Sequence, residues 1–150
     1  FATPGYNVRP LEMSGAIGTE QLKKWPAIMD GRQENANTFV SLFKDKSWCR
    51  IQKTIGVSSW FTFGMVLDGE LKGRRGEVIE ALDKEKIQSR PLASRNFLKQ
   101  PVMRDLDHID NNNYAAADDI HNNGFFVGNG SVPIKDEITK LYEVISNLVK

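Results

Sequence analysis

The sequence has few of the residues that build disulfides and metal sites. Among its 150 residues there is one cysteine, Cys49, and there are two histidines, His108 and His121. A single cysteine cannot form an internal disulfide, which is typical of a reducing compartment, so we expect a cytoplasmic location. The two histidines have no neighbouring Cys or His pattern, which predicts neither a zinc site nor a catalytic triad.

The sequence also lacks long apolar runs and an excess of charge of either sign. Its net charge is +1, and no apolar run approaches the length of a membrane-spanning helix. A nearly neutral chain argues against nucleic acid or membrane partners that are held by bulk charge. With 40% apolar and 26% charged residues, the composition is typical of a globular domain with a core of its own.

Hydrophobic periodicity predicts a chain in which helices and strands are mixed. Predicted helices cover 11–24, 27–45, 74–86, 114–122 and a segment after Pro133, and predicted strands cover 48–53, 59–67, 87–92 and 124–128. The nearly continuous apolar character of 59–67 predicts burial on both faces. Strand, helix and strand over 59–92 are typical of a βαβ-like unit. The clearest amphipathic helix is the last, and its apolar side is expected to face the core.

Two glycines interrupt the first predicted helix. Gly15 and Gly18 lie on one stripe with Leu11 and Leu22, and each weakens the helix by about 1 kcal/mol relative to Ala. The close approach of another backbone or a cofactor would explain them. A notch for helix packing alone would explain them equally well.

Polar residues just before this helix are candidates for anion binding. Asn7 and Arg9 precede a helix N-terminus, with Pro10 suited to the first turn. An amide can donate a hydrogen bond, and a guanidinium can hold two phosphate oxygens. From the residues alone, a helix-capping role is favoured.

Two further polar clusters follow along the chain. Lys72, Arg74 and Arg75 stand between glycines, where solvated charge is favoured over phosphate binding. The second cluster combines planar donors with an aromatic ring, as a nucleotide or sugar site would; it contains Arg90, Arg95, Asn96 and Phe97. From the residues alone, a capped loop is favoured there too.

Four segments carry a family resemblance: 5–18 (GYNVRPLEMSGAIG), 58–61 (SSWF), 90–97 (RPLASRNF) and 123–129 (NGFFVGN). Together they resemble the DegT-type sugar aminotransferase and sugar dehydratase family, which uses pyridoxal phosphate (PLP) on a fold-type I scaffold. They are most similar to its nucleotide-sugar 3-dehydratase branch. That branch usually has Gly where Arg95 stands.

The resemblance implies a fold and a domain organisation. It implies an α/β (α+β) chain: the C-terminal small domain of a fold-type I enzyme, with a small mixed or antiparallel sheet packed against helices. Residues 1–46 would be the end of the large PLP domain with linking helices, and 47–150 the small domain. Because the sequence starts with Phe1 rather than Met, we expect it to be a piece of a longer enzyme.

The resemblance also implies site residues. The residue matching Asn7 reaches across a homodimer interface to the phosphate of the neighbouring subunit's cofactor, and the residue matching Arg9 lies beside it, toward the substrate. Arg90, Arg95, Asn96 and Phe97 would lie near the sugar. The catalytic base, His in the dehydratases and Lys in the aminotransferases, would lie upstream of Phe1, so residues 1–150 alone are expected to show no turnover and no PLP absorbance.

The implied activity is removal of the C3 hydroxyl of a nucleotide-linked 4-keto-6-deoxyhexose, in deoxysugar and lipopolysaccharide O-antigen biosynthesis. The cofactor would be pyridoxal phosphate or pyridoxamine phosphate, with either glutamate as amino donor or an iron–sulfur reductase as partner. Two alternatives stay open: a nucleotide-sugar aminotransferase on the same scaffold, and a non-catalytic α/β interaction domain.

Overall fold

A computed structural model describes residues 11–109 and 113–149, so Asn7 and Arg9 lie outside the described residues. The helices are α1 (Glu12–Leu22), α2 (Trp25–Phe43), α3 (Arg75–Lys84), α4 (Ala115–Asn123) and α5 (Lys135–Ser146). The strands are β1 (Cys49–Ile51), β2 (Thr62–Leu67), β3 (Ser89–Pro91) and β4 (Gly124–Gly128). Short 3₁₀ turns cover Gly69–Leu71, Phe97–Lys99 and Pro101–Asp105.

The four strands form one antiparallel sheet in the order β1-β2-β4-β3. In register, Phe63 of β2 faces Val127 of β4, and Phe126 of β4 faces Arg90 of β3. Since β2 and β3 are both antiparallel to β4, they run in the same direction with β4 between them. The predicted βαβ-like unit is therefore split by the last strand of the chain. The expected fold class, a small sheet packed against helices, is confirmed.

One face of the sheet carries the core. In β2 the side chains of Phe63, Met65 and Leu67 are buried, and the residues between them are only half-buried. The prediction that both faces of this strand are buried is therefore wrong. On the second face Leu92 lies over Gly64, 3.3 Å from where a Cβ would stand, and Val66 is half-buried.

Three helices cover the core face. Phe39 and Phe43, one turn apart on α2, stack at 4.6 Å, and Phe39 also stacks on Phe63 at 4.4 Å between ring centroids. The fully buried Val78 and Leu82 come from α3. From α5 come Ile138, Leu141 and Ile145, whose buried side confirms the predicted core face of the last helix. Local residues favour the starts of two helices. Pro26 lies in the first turn of α2, where a missing N–H costs nothing, and two carboxylates lie in the first turn of α5, where they interact favourably with the helix dipole.

Helix α1 stands apart from this core. None of its residues is buried, and large apolar side chains such as Met13 and Leu22 are each 71% exposed. Nothing within the described residues lies within 4 Å of a Cβ placed at Gly15 or Gly18. Both explanations of these glycines therefore stay predictions, as does the domain boundary at 46/47. Across 11–109 and 113–149, no helix combines the length and the apolar character needed to span a lipid bilayer.

Candidate functional site

The loop after β3 carries the predicted sugar-binding residues, and its backbone is unusual. Ala93 and Arg95 both have positive φ, +42° and +59°, and the Arg95 N–H donates to the Leu92 carbonyl at 2.9 Å. A side chain in this left-handed region costs roughly 1–2 kcal/mol, a cost that glycine avoids. Arg95 therefore occupies a backbone conformation suited to Gly, the residue usual at this position in the family branch named above.

Asn96 anchors this loop to α4. Its side chain is 5% exposed; the amide donates to Asp118 Oδ1 at 2.8 Å, and the amide oxygen accepts from the Leu98 N–H at 3.1 Å. Lys99 Nζ also contacts Asp118 Oδ1, at 2.6 Å. The hydrogen bonds from Lys99 and then Asn96 lower the pKa of the Asp118 carboxyl. Asn96 thus holds the loop in place, and its predicted contact with a sugar stays a prediction.

Arg75, which the sequence placed in a basic cluster where solvated charge is favoured, also belongs to this site. Its Nη1 donates to the backbone carbonyls of His121 at 2.6 Å and Gly124 at 3.3 Å, so it joins the start of α3 to the end of α4. Burial and then the charge of Arg95 lower the Arg75 pKa. A pocket of about 330 Å³ is lined by Arg75, Arg90 and Arg95 together.

The sequence favoured solvated charge for the basic cluster of Lys72, Arg74 and Arg75, and the three side chains separate in the fold. Lys72 turns to Asp119 at 3.6 Å, and Arg74 pairs with Glu77 at 2.8 Å. Only Arg75, the first residue of α3, faces the pocket. Arg90 lies fifteen positions further along the chain. Both residues line the pocket because α3 lies beside β3, so no local pattern could have found the pair.

Arg90 also lines a second pocket of about 290 Å³. This pocket includes Phe61, from the segment 58–61, and Phe126, from the segment 123–129. Phe61 is 70% exposed, and the Arg32 guanidinium lies 5.2 Å from its ring centroid. Three of the four segments that carry the resemblance therefore meet around Arg90. Phe97, in the same loop as Arg95, is 39% exposed, and its predicted sugar contact stays a prediction.

His121 lies on α4 next to these cations. Its Nδ1 is buried and has no hydrogen-bond partner among the described residues. Burial first, and then the charges of Lys99, Arg95 and Arg75, lower the His121 pKa, so the imidazole is neutral at pH 7. The positive charge of this region therefore comes from the arginines and Lys99.

Comparison with solved structures defines the class of protein. The fold matches a GDP-4-keto-6-deoxymannose 3-dehydratase with a trapped PLP–glutamate geminal diamine, with a TM-score of 0.85 and 44% identity over 94% of this chain and 37% of that chain. A mutant GDP-4-keto-6-deoxymannose 3-dehydratase with bound GDP-perosamine matches with the same TM-score, at 43% identity over 95% of this chain and 37% of that one.

The family follows from the sequence itself. The model of the DegT/DnrJ/EryC1/StrS aminotransferase family matches residues 2–145, and the chain belongs to this family. Over 146 residues it is 43% identical to the GDP-4-keto-6-deoxy-D-mannose 3-dehydratase of Escherichia coli O55:H7, covering 97% of this chain. The chain spans 38% of the length of that curated relative. The predicted resemblance to the family and to its 3-dehydratase branch is confirmed.

Proposed function

We propose that this chain is the C-terminal part of a PLP- or pyridoxamine-phosphate-dependent nucleotide-sugar 3-dehydratase. The enzyme would remove the C3 hydroxyl of a nucleotide-linked 4-keto-6-deoxyhexose. The observation that carries the proposal is the 43% identity to a GDP-4-keto-6-deoxy-D-mannose 3-dehydratase, which extends over 97% of the chain. Structural neighbours that share only the scaffold, such as an aminotransferase of pseudoaminic acid biosynthesis, are 19% identical or less.

The cofactor, when bound, supplies an electron sink that lets the C3 hydroxyl leave. Asn7 is proposed to donate to the cofactor phosphate of the neighbouring subunit, and Arg9 to face the substrate. These two roles are supported by the segment 5–18, whose sequence resembles that of the 3-dehydratase branch. Arg90 and Arg95 are proposed to bind the substrate because they line one pocket. Asn96 would act there by fixing the loop, and Phe97 by offering an exposed ring.

The wider assignment follows from the same family branch. Residues 1–46 would belong to the large PLP domain, and 47–150 would form the small domain. The enzyme would be a cytoplasmic homodimer that serves deoxysugar or lipopolysaccharide O-antigen biosynthesis. Glutamate as amino donor fits the PLP–glutamate adduct in the related crystal structure better than an iron–sulfur reductase does.

A nucleotide-sugar aminotransferase is the second candidate. The family that matches residues 2–145 is described as an aminotransferase family, so the scaffold serves both reactions. The residue at the upstream cofactor position separates the two: His favours dehydration and Lys favours amino transfer. A non-catalytic α/β interaction domain is the third candidate.

Incubation of the full-length protein with GDP- or CDP-linked 4-keto-6-deoxyhexose and glutamate tests the proposal. A dehydratase yields a sugar whose mass is lower by one oxygen atom, together with 2-oxoglutarate and ammonia. An aminotransferase yields an amino sugar that keeps its C3 hydroxyl, which mass spectrometry and NMR distinguish. If neither product forms with either nucleotide, the dehydratase proposal is wrong.

The Asn7→Ala variant of the full-length protein tests the cofactor contact. Loss of one hydrogen bond to a charged phosphate should weaken cofactor binding by about 1.5–3 kcal/mol. Cofactor titration followed by PLP absorbance measures the change. Unchanged cofactor affinity in the variant would contradict the proposed contact between Asn7 and the cofactor phosphate.

A further inference from the structure

Helix α1 exposes large apolar side chains along its whole length. Met13 and Leu22 are each 71% exposed, Ile17 is 57% exposed, and Leu11, just before the helix, is 68% exposed. Trp25, at the start of α2, is 45% exposed as well. Single exposed apolar residues are common on protein surfaces, whereas a group of them on one short element marks a surface that contacts something else.

The same helix lacks the features that stabilise a helix in water. It has 11 residues, no side chain caps its N-terminus, and its interior contains Gly15 and Gly18. Its side-chain contacts are local and exposed: the Thr19 hydroxyl donates to the Gly15 carbonyl at 3.1 Å, and Lys23 pairs with Glu20 at 2.6 Å. Isolated helices of fewer than about 12–15 residues are marginal in water, and glycine weakens them further. Helix α1 therefore depends on packing that the described part of the chain does not provide.

The apolar residues of α1 occupy two opposite sides of the helix. Ile17 follows Met13 by about one turn, so these two residues share a side. Leu22 follows Met13 by about two and a half turns, which places it on the opposite side. A helix on the surface of a domain has one apolar side, whereas a helix with apolar residues on opposite sides is covered by two layers. The pattern of α1 is therefore that of an interior helix.

The charge and the pattern of α1 indicate what covers it. The charged residues of α1 are Glu12 and Glu20, and its sequence contains no cation, whereas helices that lie on a lipid surface carry Lys and Arg on their polar side. A second copy of the chain in a two-fold dimer would cover one side of α1 and leave the other in water. The remainder of the same polypeptide can cover both sides. Its length suffices, because the chain spans 38% of the length of its curated Escherichia coli relative.

We propose that α1 is an interior helix of the full-length protein, packed on both apolar sides by the part of the polypeptide that lies outside these 150 residues. One layer of that part covers Met13 and Ile17, and another covers Leu22. The proposal explains how a helix with so little stability of its own is maintained. It rests on the proposed function only in taking the chain as part of a longer enzyme, and it needs no turnover.

Lysine substitutions in the full-length protein test the two sides separately. Ile17→Lys and Leu22→Lys each place a charge in a contact without water, so each should lower the thermal unfolding midpoint by about 5 °C or more. On a helix that faces water the same changes would not lower the midpoint, because lysine forms helices about as well as leucine and better than isoleucine.

Thr19→Lys is the matched control for the added charge. Thr19 is exposed and lies two positions after Ile17, on the far side of the helix from it. Its midpoint should stay within about 1 °C of the unmodified protein. The proposal is overturned if Ile17→Lys or Leu22→Lys unfolds at the midpoint of Thr19→Lys, because that side of α1 then faces water. It is also overturned if sedimentation shows that a folded variant has changed from an oligomer to a monomer, because a second copy then covers α1.

Hydrogen exchange of the unmodified full-length protein gives a test that does not depend on any variant folding. The central amides of α1 should exchange as slowly as those around the buried Phe39 of α2. Much faster exchange in α1 would overturn the proposal. None of these measurements follows dehydration, so a protein that encloses α1 and does not act on 4-keto sugars contradicts only the proposed function.

Discussion

Asp119 connects three parts of the molecule through one carboxylate. It accepts hydrogen bonds from Arg50 of β1 and from Asn123 Nδ2 at 2.8 Å, and Lys72 lies 3.6 Å away. The Arg50 hydrogen bond is the largest cause, and the Asn123 bond the next, of the lowered Asp119 pKa. The carboxylate is therefore a structural group that ties α4 to the sheet edge and to the turn before α3.

The Asp119→Asn variant should be less stable by about 1 kcal/mol at pH 7, the upper range for a partly exposed ion-pair network. Since the folded pKa lies below the unfolded one, the ionised carboxylate stabilises the fold above the unfolded pKa. That stabilisation is lost as the pH falls through the folded value. Urea unfolding at pH 7, 5 and 3 should show the two proteins converging at the lowest pH.

Asp83→Asn is the control for this change. Asp83 is an exposed carboxylate on α3, and its side chain has no hydrogen bond or ion pair among the described residues. Its replacement should be neutral at every pH. An Asp119→Asn defect that persists undiminished at pH 3 would contradict the electrostatic explanation.

At the scale of elements, α2 holds the segment before α5 through one buried amide. Asn35 Nδ2 donates to the Val132 carbonyl at 2.7 Å, and Asn35 Oδ1 accepts from the Ile134 N–H at 3.1 Å. Gly31, one turn earlier on α2, lies against Ser131, and a Cβ there would collide with the Ser131 carbonyl. Gly31 is required because the backbone of Ser131 comes too close for a Cβ. The Asn35 amide positions the residues that lead into α5.

Asn35→Ala should destabilise the protein by about 2–3 kcal/mol, because it leaves partly buried backbone groups and the buried Asn129 amide without their partner. Chemical denaturation measures the loss. Asn37→Ala, at an exposed position on the same helix, should stay within about 0.5 kcal/mol of the unmodified protein. Equal effects of the two changes would show that the hydrogen bonds of Asn35 contribute little.

Element types were predictable where a local pattern was strong. The strand 124–128, bounded by glycines, has the bounds that the sequence predicts, and the buried side of α5 follows from its periodicity. Strand 48–53 shrinks to Cys49–Ile51 because β2 offers ladder partners to those three residues alone. The sequence predicted burial on both faces of β2, but the second face is only half-buried. Its cover at Gly64 comes from Leu92, which lies in the loop after β3, and no pattern within β2 records that contact.

At the scale of the whole molecule, one aromatic stack connects the helical layer to the sheet. Phe39 is fully buried and contacts Phe43, Phe63 and Trp60, with ring centroids at 4.6, 4.4 and 6.1 Å. These residues come from α2, from β2 and from the segment before β2. Burial of such rings supplies much of the free energy of folding, so this stack is the centre of the core.

Phe39→Ala should lower the free energy of unfolding by about 3–5 kcal/mol, through lost burial and a cavity between α2 and β2. Thermal and urea unfolding followed by circular dichroism measure the loss. Phe39→Leu keeps most of the volume and should cost less than about 2 kcal/mol. A small loss in the Ala variant would mean that the core closes over the gap.

Some residues of the candidate site were predictable from the sequence, and others became clear only in the structure. Arg90 and Arg95 were found from the sequence because a family segment contains them, and they do line one pocket. Asn96 was found with them, but its buried amide is engaged with Asp118 and Leu98. Arg75 was named with Lys72 and Arg74 as a less favoured phosphate ligand, and of these three only Arg75 lines the pocket.

The sequence by itself determined the element types, the family and the near-neutral, disulfide-free character of the chain. Those properties depend on composition, on the local period of apolar residues and on short motifs. Tertiary structure alone decided that β4 lies between β2 and β3, that Arg75 lines the same pocket as Arg90 and Arg95, and that buried amides such as Asn35 and Asn129 serve the fold. Strand order and pocket lining arise from contacts between residues far apart in the chain, and no local pattern records such contacts.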